Sequence, residues 1–311
     1  MEEFLEHVKN GLSQSQKKLS SRYFYDTNGD ALFQQIMQLD EYYLPKCEMQ
    51  IINNQSKDIA TYIARTHQDL EIIELGAGDG SKTKHLIKQF QPAFESLAYT
   101  ALDISENVLD INKDEVLMAI PNLDYRNKAG NYLDTYPNLE RTKSARLILF
   151  LGGNIGNYLK DDAITFFNFV KANLQPNDYF LVAFDFVKHP RKIIKAYDDS
   201  KGVTKAFNLN LLERINRELG GNFDVSKFDH YPFYNPQSGV TASYIISLED
   251  QDVRLSDGST FHFKAFEAIH TEVSKKFFME DIMAIAESSE FKVDQSYFDD
   301  KKEYAFILFK K

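Results

Sequence analysis

Residues 70–83 read LEIIELGAGDGSKT: an apolar run passes into glycines at 76, 78 and 80, then into a polar stretch suited to a helix start. No other feature restricts the fold as much. A short Leu/Ile run closed by glycines is a buried strand, and a helix directly behind it carries the chain back across a sheet. The alternation recurs. SLAYTALDIS (96–105) reads as a second strand, ENVLDINKDEVLMAI (106–120) as a second helix, and LDYRNKAGNY (123–132) contains a third strand. ARLILFLG (145–152), DDAITFFNFVKANL (161–174) and PNDYFLVAFDFV (176–187) repeat strand, helix, strand. Strands alternating with helices predict a parallel sheet covered on both faces.

After Val187 the pattern changes. Residues 189–219 are largely helical, whereas VTASYIISLE (240–249) and STFHFKAFEAIHTEVS (259–274) alternate as antiparallel strands do. FFMEDIMAIAES and YAFILFK at the end return to helix and strand, and the last strand should complete the first sheet. The first 50 residues are helical in pattern, interrupted at Gly29, and rich in aromatics; KDIATYIARTH (57–67) is an amphipathic helix. The expected organisation is an α/β core of residues 49–187 and 277–311, with an α+β domain formed by residues 1–48 and 188–276.

Hydrophobic content of 43% with 14% aromatics supplies a real core, which excludes wholesale disorder. A net charge of −10 without a dense basic block disfavours a nucleic-acid partner, because phosphate binding needs a basic stripe. No run reaches the length of a membrane span, and the single Cys47 allows no internal disulfide, so a soluble protein of the reducing cytoplasm is expected. The seven histidines show no metal-ligand spacing, and no bound metal is expected.

The glycine turn carries chemistry as well as topology. Gly76 would make the tight turn and Gly78 would let a ligand press against the backbone, with Gly80 completing the alternation. The helix behind, capped by Ser81, would offer unpaired N–H groups. Asp103, at the end of the second strand, stands where a carboxylate can accept both hydroxyls of a ribose. The alternative is a glycine turn packed on a neighbouring helix, with Asp103 as a helix cap. The turn is one residue shorter than a dinucleotide fingerprint and follows Glu74, whose charge disfavours a pyrophosphate and tolerates a cation. That moves the cofactor from NAD toward S-adenosylmethionine, which carries an ammonium and a sulfonium but no phosphate. Asn131, after the third strand, either offers its carbonyl to an adenine amino group or is a turn asparagine. LFLGGNIGNY (149–158) ends another strand in bare backbone, as though something small must approach it.

Five stretches in order resemble the histidine-specific S-adenosylmethionine-dependent methyltransferases, which make hercynine for ergothioneine synthesis. They are RYFYDTNGDALFQQIMQLDEYYLPKCE (22–48), ELGAGDGSKT (74–83), LFLGGNIGNY (149–158), KAYDDSKGVTKAFNLNLLERINRELGGNFD (195–224) and HTEVSKKF (270–277). The resemblance implies a Rossmann-like class I methyltransferase core with a second, α+β substrate-binding domain. It also implies cofactor positions at Gly76, Lys82, Asp103, Asn131 and Tyr132, and substrate positions at Tyr42, Gly152, Asn157, Tyr197, Glu272 and Ser274. By resemblance, Tyr42 and Tyr197 would hold the substrate carboxylate, Asn157 would orient the α-amine with Tyr25 near it, and Glu272 and Ser274 would grip the two imidazole nitrogens.

The residue types suit these roles: phenols donate to carboxylates, and residues two apart on a strand share a face. Three positions depart from the family pattern. Asn131 replaces the usual Asp, Gly153-Asn154 replaces Ser-Thr, and Ser243 replaces a Met that borders the side-chain pocket. The implied reaction is in-line methyl transfer to the α-nitrogen of a free amino acid, without metal or covalent intermediate, repeated up to three times. Competing readings are a tryptophan- or tyrosine-specific enzyme of the same family, a nucleic-acid methyltransferase, and a cofactor-binding module without activity. For the nucleic-acid enzyme, the turn NIGNY lacks the two prolines expected there.

Overall fold

Strand β1 (Asp69–Leu75) is buried after its first residue, as the apolar run requires. The computed structural model describes residues 2–311. Contacts divide the chain into two units, one of Leu44–Val187 with Lys275–Lys311 and one of Met1–Tyr43 with Lys188–Ser274. The break falls at 43/44 rather than after 48 because Leu44–Ala64 is a single uninterrupted helix. The amphipathic stretch read at 57–67 is its C-terminal part.

In the first unit, β1 is followed by β2 (Ser96–Asp103), β3 (Asp124–Ala129), β4 (Ala145–Phe150) and β5 (Tyr179–Asp185). The second unit contributes β6 (Phe228–Asn235), β7 (Val240–Ser247), β8 (Gln251–Arg254), β9 (Thr260–Phe263) and β10 (Ala268–Lys275). The chain then returns with β11 (Lys292–Phe298) and β12 (Tyr304–Lys310). The seven-stranded sheet has the order β11-β12-β5-β4-β1-β2-β3. β1 to β5 are mutually parallel, while β12 runs antiparallel between β5 and β11. After β1 the chain moves outward to β2 and β3, then crosses back to β4 on the other side of β1. The loops leaving β1 and β4 therefore diverge, and that opening is the ligand crevice of such sheets.

Burial explains which strands were legible. β4, β5 and β12 are buried almost throughout and read as continuous apolar runs. β11 was not anticipated. It is an edge strand of sequence KVDQSYF, paired on one side only and partly exposed, so its polar residues carry no apolar signal. On one face of the sheet, Phe167 of the helix Lys160–Ala172 meets Phe180 and Phe309 edge-on, with ring centroids 5.1 and 5.2 Å apart. Each such buried ring contributes about 1.5–3 kcal/mol by burial, and an edge-on pair adds about 0.5–1.5 kcal/mol.

In the second unit, β6 and β7 are an antiparallel pair within the order β10-β7-β6, and β8 and β9 form a separate hairpin. The alternating run 259–274 is thus two strands, broken at Phe266, which adopts a φ of 66°. The helix Val203–Leu219 begins on the carboxylate of Asp199, which accepts the N–H groups of Val203 at 3.0 Å and Thr204 at 2.7 Å. Leu19 N–H and His270 C=O, 2.9 Å apart, join the N-terminal segment to β10.

Candidate cofactor and substrate sites

The turn after β1 is drawn against β2 by backbone bonds. Gly76 and Ala77 both donate to the Leu102 carbonyl, at 2.8 and 3.0 Å. Gly78 donates to Asp103 Oδ2 at 2.9 Å, and Ser105 N–H donates to Asp103 Oδ1 at 3.1 Å. Burial raises the Asp103 pKa, against the hydrogen bonds from Ser105 and Gly78. All three glycines have positive φ, 72°, 57° and 72°, which is why no other residue type serves well here.

The two readings of the turn divide between its glycines. A Cβ at Gly80 would lie 2.9 Å from Asn112, so this glycine is required by packing on the helix Glu106–Ala119. A Cβ at Gly78 would meet nothing within 4 Å, so its bare backbone faces open space. Asp103 does not cap the following helix; Ser105 does, accepting from Val108 N–H at 3.3 Å. An open glycine edge beside a half-buried carboxylate fits a nucleoside-bearing cofactor.

Ser81 is not a helix cap. The helix is Thr83–Phe90, and both the N–H and the hydroxyl of Ser81 donate to Asp79 Oδ1, at 3.0 and 2.7 Å. Asp79 shapes the turn, and Lys82 stands one residue ahead of the helix rather than within it. Glu74 also needs correction. Its side chain is fully buried and accepts from Thr83 Oγ1 at 2.9 Å and Tyr99 OH at 2.6 Å. Burial pushes it up to about 8, outweighing those bonds and the Lys82 charge. Glu74 ties β1 to β2 and the helix and does not present a free charge to a ligand.

Two residues of this site had no place in the sequence reading. Asn112, wholly buried, donates to the Gly78 carbonyl at 2.9 Å and accepts from Tyr125 OH at 3.0 Å, pinning the glycine turn from outside. Its signal was present: a polar residue in phase with Val108, Leu109 and Val116 on the buried face of its helix. Glu48, 1% exposed, is an ion-pair partner of Lys82 and accepts the Gly152 N–H at 2.7 Å.

The turn after β4 explains the departure at Gly153-Asn154. Gly152 and Gly153 both have left-handed backbones, φ 73° and 74°, and a Cβ at Gly153 would press to 3.1 Å on Leu44. The Asn154 amide nitrogen lies 3.1 Å from where a Gly76 Cβ would be, so its side chain lies between the turns after β1 and β4. Asn157 ends the short helical turn Asn154–Asn157 and is exposed.

Asn131 caps the short helix Tyr132–Thr135, its side-chain oxygen accepting Leu133 N–H at 3.0 Å, so the turn-asparagine role is real and leaves one acceptor position over. The Tyr132 hydroxyl lies 2.8 Å from that of Tyr158, with its ring edge-on to Phe150 and Phe166.

The second unit holds the remaining residues. Tyr197, at the end of the helix Pro190–Tyr197, donates its hydroxyl to Ser274 Oγ at 2.7 Å. Glu272 and Ser274 both belong to β10. Tyr25 stands edge-on to Phe33 and Phe207, and Tyr42 to Phe33. Ser243, on β7 opposite Pro232, is 1% exposed, and its hydroxyl has no hydrogen-bond partner.

Among the described residues, one cluster of possible metal ligands occurs, Cys47, Asp299 and Glu303, with ligand atoms within 4.8 Å of one another. Asp299 there accepts the N–H groups of Glu303 at 2.6 Å and Tyr304 at 2.8 Å, which makes it a turn cap. Among the described residues no helix is long and apolar enough to cross a membrane.

The model of the S-adenosylmethionine-dependent, histidine-specific methyltransferases matches residues 4–311. A histidine N-alpha-methyltransferase of Mycolicibacterium smegmatis is 33% identical over 89% of this chain and 85% of its own length. Its namesake in Mycobacterium tuberculosis is 31% identical over 87% and 83%. An L-tryptophan methyltransferase of Psilocybe serbica is 24% identical over 94% and 87%. Family match, sheet order and the turns after β1 and β4 agree: the chain belongs to the histidine-specific, S-adenosylmethionine-dependent methyltransferase family, on a Rossmann-like class I core.

Proposed function

We propose that this protein methylates the α-nitrogen of free L-histidine, up to the trimethylated betaine hercynine. The observation that carries the choice of histidine is the match to the histidine-specific family together with Glu272 and Ser274 on one face of β10. A serine hydroxyl can donate while it accepts, so Ser274 can offer a donor to a substrate as well as take the Tyr197 hydrogen. Glu272, two residues earlier on β10, can only accept when ionised. One acceptor and one donor match the N–H and the bare nitrogen of a neutral imidazole. An indole offers a single N–H and no bare nitrogen to accept from a hydroxyl, and a site built to bond both nitrogens discriminates strongly against it.

S-adenosylmethionine supplies an electrophilic methyl on a sulfonium, with a neutral leaving group. Gly76, Gly78, Asp103 and Lys82 would hold it, Asp103 through the ribose hydroxyls and Gly78 by its open backbone, with Asn131 and Tyr132 at the adenine end. The chain's remaining task is orientation. Tyr42 would donate to the substrate carboxylate, whereas Tyr197 would do so only by giving up its bond to Ser274. Asn157 would accept from the amine with Tyr25 beside it, and Gly152 would let the amino-acid backbone lie close. Holding an unprotonated amine in line is worth more here than any acid catalyst.

The buried hydroxyl of Ser243, without a hydrogen-bond partner and smaller than the Met usual there, favours a second reading, a larger aromatic substrate such as tryptophan. Incubation with S-adenosylmethionine and each common amino acid, followed by mass spectrometry, decides. Product gaining one to three methyls from histidine is expected. Product from tryptophan or tyrosine alone overturns the choice of histidine, and no product from any amino acid overturns the reaction.

A further inference from the structure

Glu48 is the least economical residue on the helix Leu44–Ala64. It occupies the buried face beside Cys47, Ile51 and Ile52, where an apolar side chain would pack without desolvating a charge. A buried ion pair is weak grounds for stability, and its best-attested use is to fix the register of the groups it joins. What Glu48 joins is specific. One oxygen accepts the Gly152 N–H at 2.7 Å and lies 3.4 Å from the Tyr304 hydroxyl; the other pairs with Lys82, whose side chain is itself mostly buried. Gly152 leads the turn after β4, and Lys82 follows the glycine turn after β1. A single carboxylate therefore bridges the two loops that diverge where the strand order reverses.

We propose that Glu48 is a positioning residue that sets the β4 turn and the Lys82 side chain relative to each other, so that a change on either side is felt on both. The inference rests on the functional reading above in one respect: Lys82 is taken to serve the cofactor and Gly152 the amino acid. Each loop turns on left-handed glycines, and Glu48 is the side chain that joins them. In Glu48→Gln the amide oxygen can keep the Gly152 bond, but the amide nitrogen then faces the Lys82 ammonium, donor against donor. Lys82→Met is the complementary change, leaving the carboxylate unpaired beside Gly152.

The test has two arms. In the first, S-adenosylhomocysteine is titrated calorimetrically into wild type, Glu48→Gln, Lys82→Met and the double variant, with no amino acid present. Glu48→Gln should weaken binding about 10-fold, and the double variant should bind no worse than Lys82→Met alone, because the two act as one unit. In the second arm, the amino-acid KM of Lys82→Met is measured at saturating cofactor. It should rise several-fold, although Lys82 lies on the cofactor side.

A merely structural Glu48 would lower the melting temperature and the active fraction without moving Kd or KM. Binding by Glu48→Gln within twofold of wild type, or an unchanged KM in Lys82→Met, overturns the proposal. Should Glu48→Gln fail to fold, the KM of Lys82→Met decides alone. If histidine is not the substrate, the KM of whichever amino acid reacts is used. If no amino acid reacts, the titration arm still decides for Glu48 while the functional reading falls.

Discussion

The Gly78 N–H points at Asp103 Oδ2 from 2.9 Å, so the turn after β1 and the end of β2 are held by one hydrogen bond to the carboxylate expected to bind ribose. That bond and the one from Ser105 hold the carboxylate from the backbone and fix its direction. Asp103→Asn keeps one acceptor oxygen and loses the charge. We expect cofactor affinity to fall about 10- to 100-fold, the range for hydrogen bonds to a charged group, with the melting temperature nearly unchanged. Titration with S-adenosylhomocysteine measures it, and an unaltered Kd would remove Asp103 from the ribose site.

Asn157 is exposed at the end of the β4 turn, so truncating it leaves no buried group unsatisfied. Asn157→Ala should therefore raise the amino-acid KM by about 10-fold or more while cofactor affinity stays within twofold. Steady-state kinetics with each ligand varied separately gives both numbers. An unchanged amino-acid KM would place the amine elsewhere.

Glu74 supplies a pH dependence with a definite sign. Its carboxyl is raised from 4.5 to about 8 in the fold, so between those values the native state keeps a proton that the unfolded chain has released. Stability must fall as pH rises through that window, by up to about 1.4 kcal/mol per pH unit, and is present in full below it. Glu74→Gln cannot titrate. Thermal melts at about pH 5.5 and about pH 8.5 should show wild type losing stability relative to the variant. Parallel melting temperatures at both pH values would show that Glu74 is ionised throughout.

Two glycines of one turn should respond differently to the same substitution. Gly80→Ala forces a Cβ to 2.9 Å from Asn112 at a φ of 72° and should destabilise the protein by about 1–3 kcal/mol. Gly78→Ala meets open space, so it should cost less stability and act mainly by crowding the cofactor. Comparing melting temperature with cofactor Kd for the pair separates the roles. Equal loss of stability in both would mean that Gly78 is also required by packing.

Much of the core was legible because its strands are buried. A strand enclosed on both faces must be apolar throughout, and β1, β4, β5 and β12 announce themselves in that way. β11 lay hidden because an edge strand needs no such run. The glycine turn and Asp103 were legible because positive φ and a carboxylate at a strand end are visible as residue types. Glu48 and Asn112 were harder: each acts on a loop distant in sequence, and a polar residue on a helix names no partner. Glu74 stands beside the glycine turn in sequence, yet adjacency says nothing of direction, and its side chain turns into the interior.

The sequence by itself determined the alternation of strand and helix, the positions of bare backbone and the family, since these depend on local propensity and on residue type in order. Only the tertiary structure decided which polar groups meet. Glu48 reaches Gly152, Asn112 reaches Gly78, and Tyr197 reaches Ser274, each across a long stretch of chain. A hydrogen bond forms over about 3 Å and is indifferent to sequence separation, so such pairings exist only once the sheet has brought the loops together.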